Sequence, residues 1–218
     1  TDRLNFPVLH FFVPQVVLVS QCGILRMIDQ LEQTTKQFVA DDVELRQMNA
    51  SASVALTPRF SNDDYKQAVE KLKEQLQQGN IYEVTFCQEF YNDSANINPF
   101  ETYIKLNANT RAPMSCFYKK ENQFIISSSP ERFMCRRENK IYSQPIKGTA
   151  PRSSSREEDE WLKDNLQNSE KERAENMMIV DLVRNDLSRI AQPGTVDVNE
   201  LLGVYTFKTV HQLISTVS

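Results

Sequence analysis

The stretch of sequence that decides the fold is SPERFMCRRENKIYSQPIKGTA, residues 129–150. Segments 132–137 and 141–146 have the composition of β-strands. The polar residues 138–140 between them are typical of a turn. The stretch therefore predicts an antiparallel hairpin.

The predicted hairpin brings an acid and an amine together. With Asn139 at the centre of the turn, Glu131 lies directly opposite Lys147. Opposed side chains on one face have Cβ atoms roughly 5 Å apart. Such a pair is either a weak surface salt bridge or a nucleophilic amine with an assisting acid. Spacing alone leaves both interpretations open.

Composition predicts a globular, enzyme-sized chain. The 218 residues are 40% hydrophobic, and the formal net charge of −4 argues against nonspecific binding to nucleic acid. The longest apolar run, residues 8–19, is too short and too interrupted to cross a membrane. Four widely spaced cysteines favour reduced, cytoplasmic thiols. Two histidines are too few for a multi-histidine metal site.

The pattern of elements predicts an α+β fold, with mainly antiparallel sheets and flanking helices. Residues 1–58 are predicted to form a short amino-terminal segment with strands and a short helix, and residues 59–218 the rest of the domain. Cap residues and apolar periodicity predict four helices. They are expected after Ser61 and ending at Gly79, near 100–107, after 153–155 and reaching Gln167, and over 171–190. Further strands are predicted at 81–90, 115–118, 123–127 and within 195–218, with a turn near Gly203.

The long fourth helix carries carboxylates. Its run of apolar residues at 177–183 predicts burial on most sides, which makes polar residues costly unless they are paired. Asp181 is expected to pair with Arg184 one turn later. Glu175 is either a ligand of a hard cation or a salt-bridge partner of Lys171, and the spacing leaves this open.

Five motifs in one order resemble the chorismate-utilising enzymes, a family that includes the anthranilate, aminodeoxychorismate, isochorismate and salicylate synthases. The resemblance implies the α+β fold of that family, with residues 59–218 forming the amino-terminal part of its chorismate-binding catalytic domain. The motifs lie at residues 81–90, 129–133, 145–149, 173–176 and 181–189.

Lys147 points to one branch of the family. Anthranilate synthases have alanine in the Pro-Ile-x-Gly-Thr motif, whereas the aminodeoxychorismate synthases have lysine, as here. The resemblance implies amination of chorismate to 4-amino-4-deoxychorismate, for 4-aminobenzoate and folate synthesis. Ammonia would come from a separate glutamine amidotransferase. The alternatives are an anthranilate synthase and a fragment that only binds a ligand or partner.

The resemblance also implies roles for single residues. Lys147 is the expected nucleophile and Glu131 the acid that protonates the departing hydroxyl. Substrate contacts are expected from Gly148, Thr149 and Glu83, and a Mg²⁺ ligand from Glu175. Glu83 stands where isochorismate synthases have lysine, which argues against that activity.

Two further departures from the family pattern stand out. Gln212 replaces the family histidine, and strand alternation predicts that His211 points to the other face as a packing residue. The sequence stops at Ser218, before motifs that the family carries further on. The resemblance therefore predicts a fold incomplete at its carboxyl-terminal end, and a polypeptide of residues 1–218 that is inactive or poorly folded alone.

Overall fold

The computed structural model describes residues 4, 6, 10–14, 16–21, 24–29, 34–39 and 54–218. They fall into two compact units, one of residues 7–97 and one of residues 1–6 with 98–218, and each is described by itself. The boundary predicted at residue 58 stays a prediction.

The first unit begins with a three-stranded antiparallel sheet. Its strands are β1 (Val16–Gln21), β2 (Ile24–Asp29) and β3 (Thr34–Val39). The described residues before position 58 contain no helix, so the short helix predicted there is not found among them.

The helix predicted after Ser61 is confirmed as α1 (Asn62–Gln77), with the Ser61 side chain accepting a hydrogen bond from the first turn. The strand predicted over residues 81–90 is wrong for most of its length. Only β5 (Phe90–Tyr91) has a ladder, and it pairs with β4 (Thr57–Pro58). A strand needs a hydrogen-bonding neighbour, and the described residues provide one only at the end of this segment.

The second unit contains the remaining elements. Helices α2 (Pro99–Thr110), α3 (Arg156–Asn168) and α4 (Glu170–Ser188) begin within a residue or two of their predicted positions. All strand pairs among the described residues are antiparallel, which confirms the predicted α+β class. The strands are β6 (Met114–Lys120), β7 (Gln123–Ser129), β8 (Arg132–Arg137), β9 (Lys140–Gln144), β10 (Ile146–Pro151), β11 (Val198–Thr206) and β12 (Val210–Val217).

The hairpin of β8 and β9 is confirmed, but its register differs from the prediction. Its turn consists of Glu138 and Asn139 alone, and Glu138 has a φ of 54°. A two-residue turn shifts the register relative to the predicted three-residue turn. A second shift, between Arg132 and Cys135, then pairs Arg132 with Gln144, and the predicted direct pairing of Glu131 with Lys147 is wrong.

Strand β12 lies at the centre of the main sheet. It pairs with β10, with β11 and, at one position, with β9. Pro145 separates β9 from β10 because proline has no N–H for the ladder; its carbonyl oxygen accepts from Ser215 N at 3.2 Å. Gly203 lies inside β11, and the turn predicted near it is instead formed by residues 207–209.

Two apolar clusters join the helices to this sheet. One contains Ala150, Leu166, Leu202 and Leu213, and the other contains Val180, Leu187 and Val217. Helix α4 buries only a stripe, while Met177 and Leu182 are each 50% exposed. The prediction of burial on most sides is therefore wrong, because apolar residues of the run also lie on the outer face of the helix. Among the described residues, every helix is too short or too polar to cross a bilayer.

Candidate active site

A β-bulge presents Lys147. Ile146 pairs with Ile214 and Thr149 pairs with Gln212, so two residues of β10 oppose the single Leu213 of β12. The two are Lys147 and Gly148. A bulge bends the strand and redirects a side chain, and bulges are over-represented beside active sites.

Gly148 is required at this bulge by its backbone and by its surroundings. Its φ of +95° lies in a region that favours glycine. A Cβ atom built there would lie 3.0 Å from the Cβ of Glu172 and 3.2 Å from a Leu166 methyl carbon. Helix α4 thus packs directly on the backbone next to Lys147.

Glu131 is anchored beside the bulge. Its Oε1 accepts a hydrogen bond from the backbone N–H of Ile146 at 3.2 Å, one residue before Lys147. The acid therefore lies next to the strand that carries the amine, although the two are not cross-strand partners. The structure brings Glu131, Lys147, Gly148 and Thr149 into one region, and their chemical roles stay predictions.

Thr149 and Gln212 are opposed across β10 and β12. The Gln212 Nε2 donates to Thr149 Oγ1 at 3.4 Å. The Gln212 Oε1 is shielded from solvent and has no hydrogen-bond partner among the described residues. A shielded acceptor without a partner is uncommon in native proteins, so this oxygen is a candidate ligand contact.

Glu175 forms the ion pair that was one of its two predicted roles. Its carboxylate lies 3.6 Å from Lys171 Nζ, and its side chain is 44% exposed rather than buried. The same ammonium lies 3.2 Å from Glu172, and the two acids, Glu172 more strongly, raise the pKa of Lys171. Two carboxylates therefore converge on one cation.

This donor set fits Mg²⁺, since magnesium prefers carboxylate oxygens and completes its shell with water or substrate. No group of three or more acidic, histidine or cysteine ligands occurs among the described residues, so the protein would supply a partial shell. Glu172 also lines, with Thr149, a cavity of about 430 Å³. The ion pair predicted between Asp181 and Arg184 is confirmed at 3.0 Å.

Glu83 belongs to the other compact unit, residues 7–97, where it is half-buried. Its predicted contact with substrate stays a prediction.

His211 is confirmed as a packing residue on the face opposite Gln212. It is 1% exposed, and its Nε2 lies 3.0 Å from Asp159 on α3. Hydrogen bonds from Arg152 and then from the Ser153 N–H hold the pKa of Asp159 far below its ordinary value, with a smaller contribution from His211. This cluster ties α3 to β12 behind the site.

Sequence reasoning missed two site residues on α4. Glu172 precedes Glu175 by three residues, a spacing that puts both on one helix face and was available as a signal. Asn176 is fully buried and donates to the Lys147 carbonyl oxygen at 3.4 Å. Its contact with the bulge has no local sequence signal, because the partners are 29 residues apart.

The fold and this arrangement define a chorismate-binding enzyme domain. Residues 2–218 match the family model described as chorismate binding enzyme, and the chain belongs to this family.

Several curated relatives of the chain carry one name. Aminodeoxychorismate synthase component 1 of Klebsiella aerogenes is 36% identical over 203 residues, which are 88% of this chain and 45% of the relative. The protein of the same name in Escherichia coli strain K12 is 40% identical over 159 residues, 73% of this chain and 35% of the relative. The chain thus spans less than half the length of these two relatives.

A solved structure shares the fold. Anthranilate synthase component I from Streptococcus pneumoniae TIGR4 superposes with a TM-score of 0.67 at 23% identity, covering 89% of this chain and 48% of that one. At this identity the likeness shows the fold alone, and it confirms the predicted architecture.

Proposed function

We propose that the protein aminates chorismate to 4-amino-4-deoxychorismate, in the synthesis of 4-aminobenzoate and folate. The single observation that supports this most is the bulge that presents Lys147, with Glu131 bonded to the preceding N–H. The names of the relatives agree with it, since they are aminodeoxychorismate synthases.

In the first proposed step, the uncharged Lys147 amine attacks C2 of the chorismate ring. The C2–N bond forms, the ring double bond shifts, and the C4–O bond breaks. Glu131 gives its proton to the departing hydroxyl, which leaves as water. Acid assistance of this kind contributes about 10²–10⁴-fold to a rate.

In the second step, ammonia attacks C4, the double bond shifts back, and the C2–N bond to Lys147 breaks. The new ammonium group at C4 returns one proton to the Glu131 carboxylate, so the lysine amine and the acid are both regenerated. Two easier displacements thus replace one difficult one. The Gln212 Oε1, which has no hydrogen-bond partner in the described part of the chain, is suited to accept a hydrogen bond from ammonia. A glutamine amidotransferase is the proposed source of that ammonia.

Glu175 and Glu172 are proposed to hold Mg²⁺ in place of the Lys171 ammonium. The metal would neutralise the charge of the substrate carboxylate at this site. Thr149 and the backbone at Gly148 would contact the substrate, with Glu83 proposed as a further contact.

Trapping the covalent adduct tests the proposal. The protein at its full natural length, incubated with chorismate and magnesium but no ammonia, is expected to gain the mass of chorismate less one water on Lys147. Lys147→Ala is expected to abolish this adduct and product formation. Lys140→Ala, an exposed lysine on the preceding strand β9, is the matched control and is expected to keep both.

Product analysis after adding ammonium separates the alternatives. Aminodeoxychorismate supports the proposal, anthranilate replaces it with anthranilate synthase chemistry, and no product with any variant supports a chain that only binds. Unchanged single-turnover kinetics in Lys147→Ala would remove the nucleophile from the mechanism.

A further inference from the structure

The buried amide of Asn176 forms hydrogen bonds to both strands at the bulge that presents Lys147. Its Nδ2 donates to Leu213 O on β12 at 3.0 Å and to Lys147 O on β10 at 3.4 Å. The Asn176 side chain is fully buried. Since an amide nitrogen carries two hydrogens, each carbonyl oxygen can receive one.

Ser215 fixes which way this amide points. The Ser215 Oγ accepts from Leu202 N at 3.0 Å, so its own hydrogen is left to donate to Asn176 Oδ1 at 2.6 Å. With Oδ1 turned to the serine, Nδ2 must face the bulge. Leu202 has a left-handed φ of 59° in β11, so the network holds a second irregular strand position as well.

We propose that Asn176 is a positioning residue for Lys147, an inference that rests on the nucleophilic role proposed for that lysine. A bulge leaves carbonyl groups outside the regular ladder, and these two are satisfied by one side chain. Loss of these two hydrogen bonds frees the Lys147 backbone to relax toward regular pairing with β12. The Lys147 amine then no longer points toward the substrate, while the substrate-binding groups on other residues stay in place.

The test compares Asn176→Leu and Ser215→Ala with Leu187→Ala. The first replaces the amide by an apolar group of similar size, and the second keeps the amide but removes its orienting hydroxyl. Leu187→Ala lies on the same helix and opens the other apolar cluster, without contact to the bulge. It therefore reproduces a loss of stability alone. Ser215→Ala keeps the test decisive if Asn176→Leu does not fold.

Two readouts are measured on folded protein. Steady-state kinetics are expected to show kcat lowered about 10- to 100-fold with KM for chorismate near that of the wild type, because a small misplacement is costly to chemistry. Trace labelling with acetic anhydride is expected to change the reactivity of Lys147 relative to Lys140 in the same molecule. Leu187→Ala is expected to leave both values as they are in the wild type.

Variants of Asn176 and Ser215 that match Leu187→Ala in both readouts overturn the positioning role. Labelling needs no turnover, so it separates this inference from the proposed function. If Lys147→Ala keeps full activity, the covalent mechanism fails, and the labelling ratio alone decides whether Asn176 positions the lysine.

Discussion

At the scale of single residues, the site depends on one glycine that combines two constraints. Gly148 needs a positive φ and also has no room for a Cβ atom. Gly194 has a similar positive φ of +80°, but no atom of the described residues lies within 4 Å of the place where its Cβ would be. The two glycines therefore separate the cost of backbone strain from the cost of crowding.

Gly148→Ala is expected to lower the free energy of unfolding by more than Gly194→Ala. Each loses about 1–2 kcal/mol through the backbone, and overpacking adds about 1–3 kcal/mol at Gly148 alone. Urea unfolding followed by circular dichroism measures both values. Equal losses in the two variants would show that Glu172 and Leu166 move aside at no cost.

At the scale of elements, α3 is tied to β12 by Asp159. The carboxylate accepts from Arg152 Nε at 2.8 Å and from Ser153 N at 2.9 Å, and it lies beside the buried His211. These partners favour the charged carboxylate, so its pKa is lowered in the folded protein. Protonation of Asp159 in acid therefore weakens the link between α3 and β12.

Asp159 is expected to stabilise the fold fully above its unfolded pKa of about 3.9, and less as the pH falls below that value. The free energy of unfolding should thus fall more steeply between about pH 5 and about pH 2 in the wild type than in Asp159→Asn. Asp164→Asn, an exposed carboxylate on the same helix, is the control. Parallel pH profiles for the wild type and Asp159→Asn would contradict the assignment.

Sequence patterns predicted elements better than registers. Helix α1 follows from the Ser61 cap, and the β8–β9 hairpin from its two strand segments. The pairing of Glu131 with Lys147 failed because one fewer turn residue changes every partner along a hairpin, and an irregularity between Arg132 and Cys135 shifts the register again. The proximity of Glu131 to the Lys147 strand nevertheless holds, through a bond to the Ile146 N–H.

At the scale of the whole molecule, few side chains are fully buried among the residues that the structure describes. Leu213 is 0% exposed in the cluster beneath the bulge, whereas Phe133, on strand β8, is 85% exposed. Large apolar side chains at the surface favour association between molecules. Loss of the Leu213 side chain should therefore lower stability, whereas loss of the Phe133 side chain should reduce association between molecules.

Leu213→Ala is expected to lower the free energy of unfolding by about 2–5 kcal/mol. Phe133→Ala is expected to change it by less than about 0.5 kcal/mol while reducing concentration-dependent aggregation. Urea unfolding and light scattering over a concentration series measure the two effects. A large loss of stability in Phe133→Ala would mean that this side chain is buried in solution.

Contacts between distant segments set the limit of prediction at this scale. The family motifs located the candidate site. No local sequence pattern indicates the hydrogen bonds of Asn176 at the bulge or the contact between His211 and Asp159. Each joins segments that are 29 or more residues apart in the sequence. The prediction that α4 is buried on most sides failed, because an apolar run does not show which side of the helix the sheet covers.

Helix α4 places the two converging carboxylates, Glu172 and Glu175, immediately before Asn176. One turn of helix therefore fixes both the proposed metal ligands and the strand that carries the amine. Inserting a single residue between Asn176 and Val180 would rotate that turn by roughly 100° relative to the part of the helix that Val180 and Leu187 pack against the sheet. Acid, amide and lysine would lose their alignment together, so this turn tolerates substitution far better than a change of length.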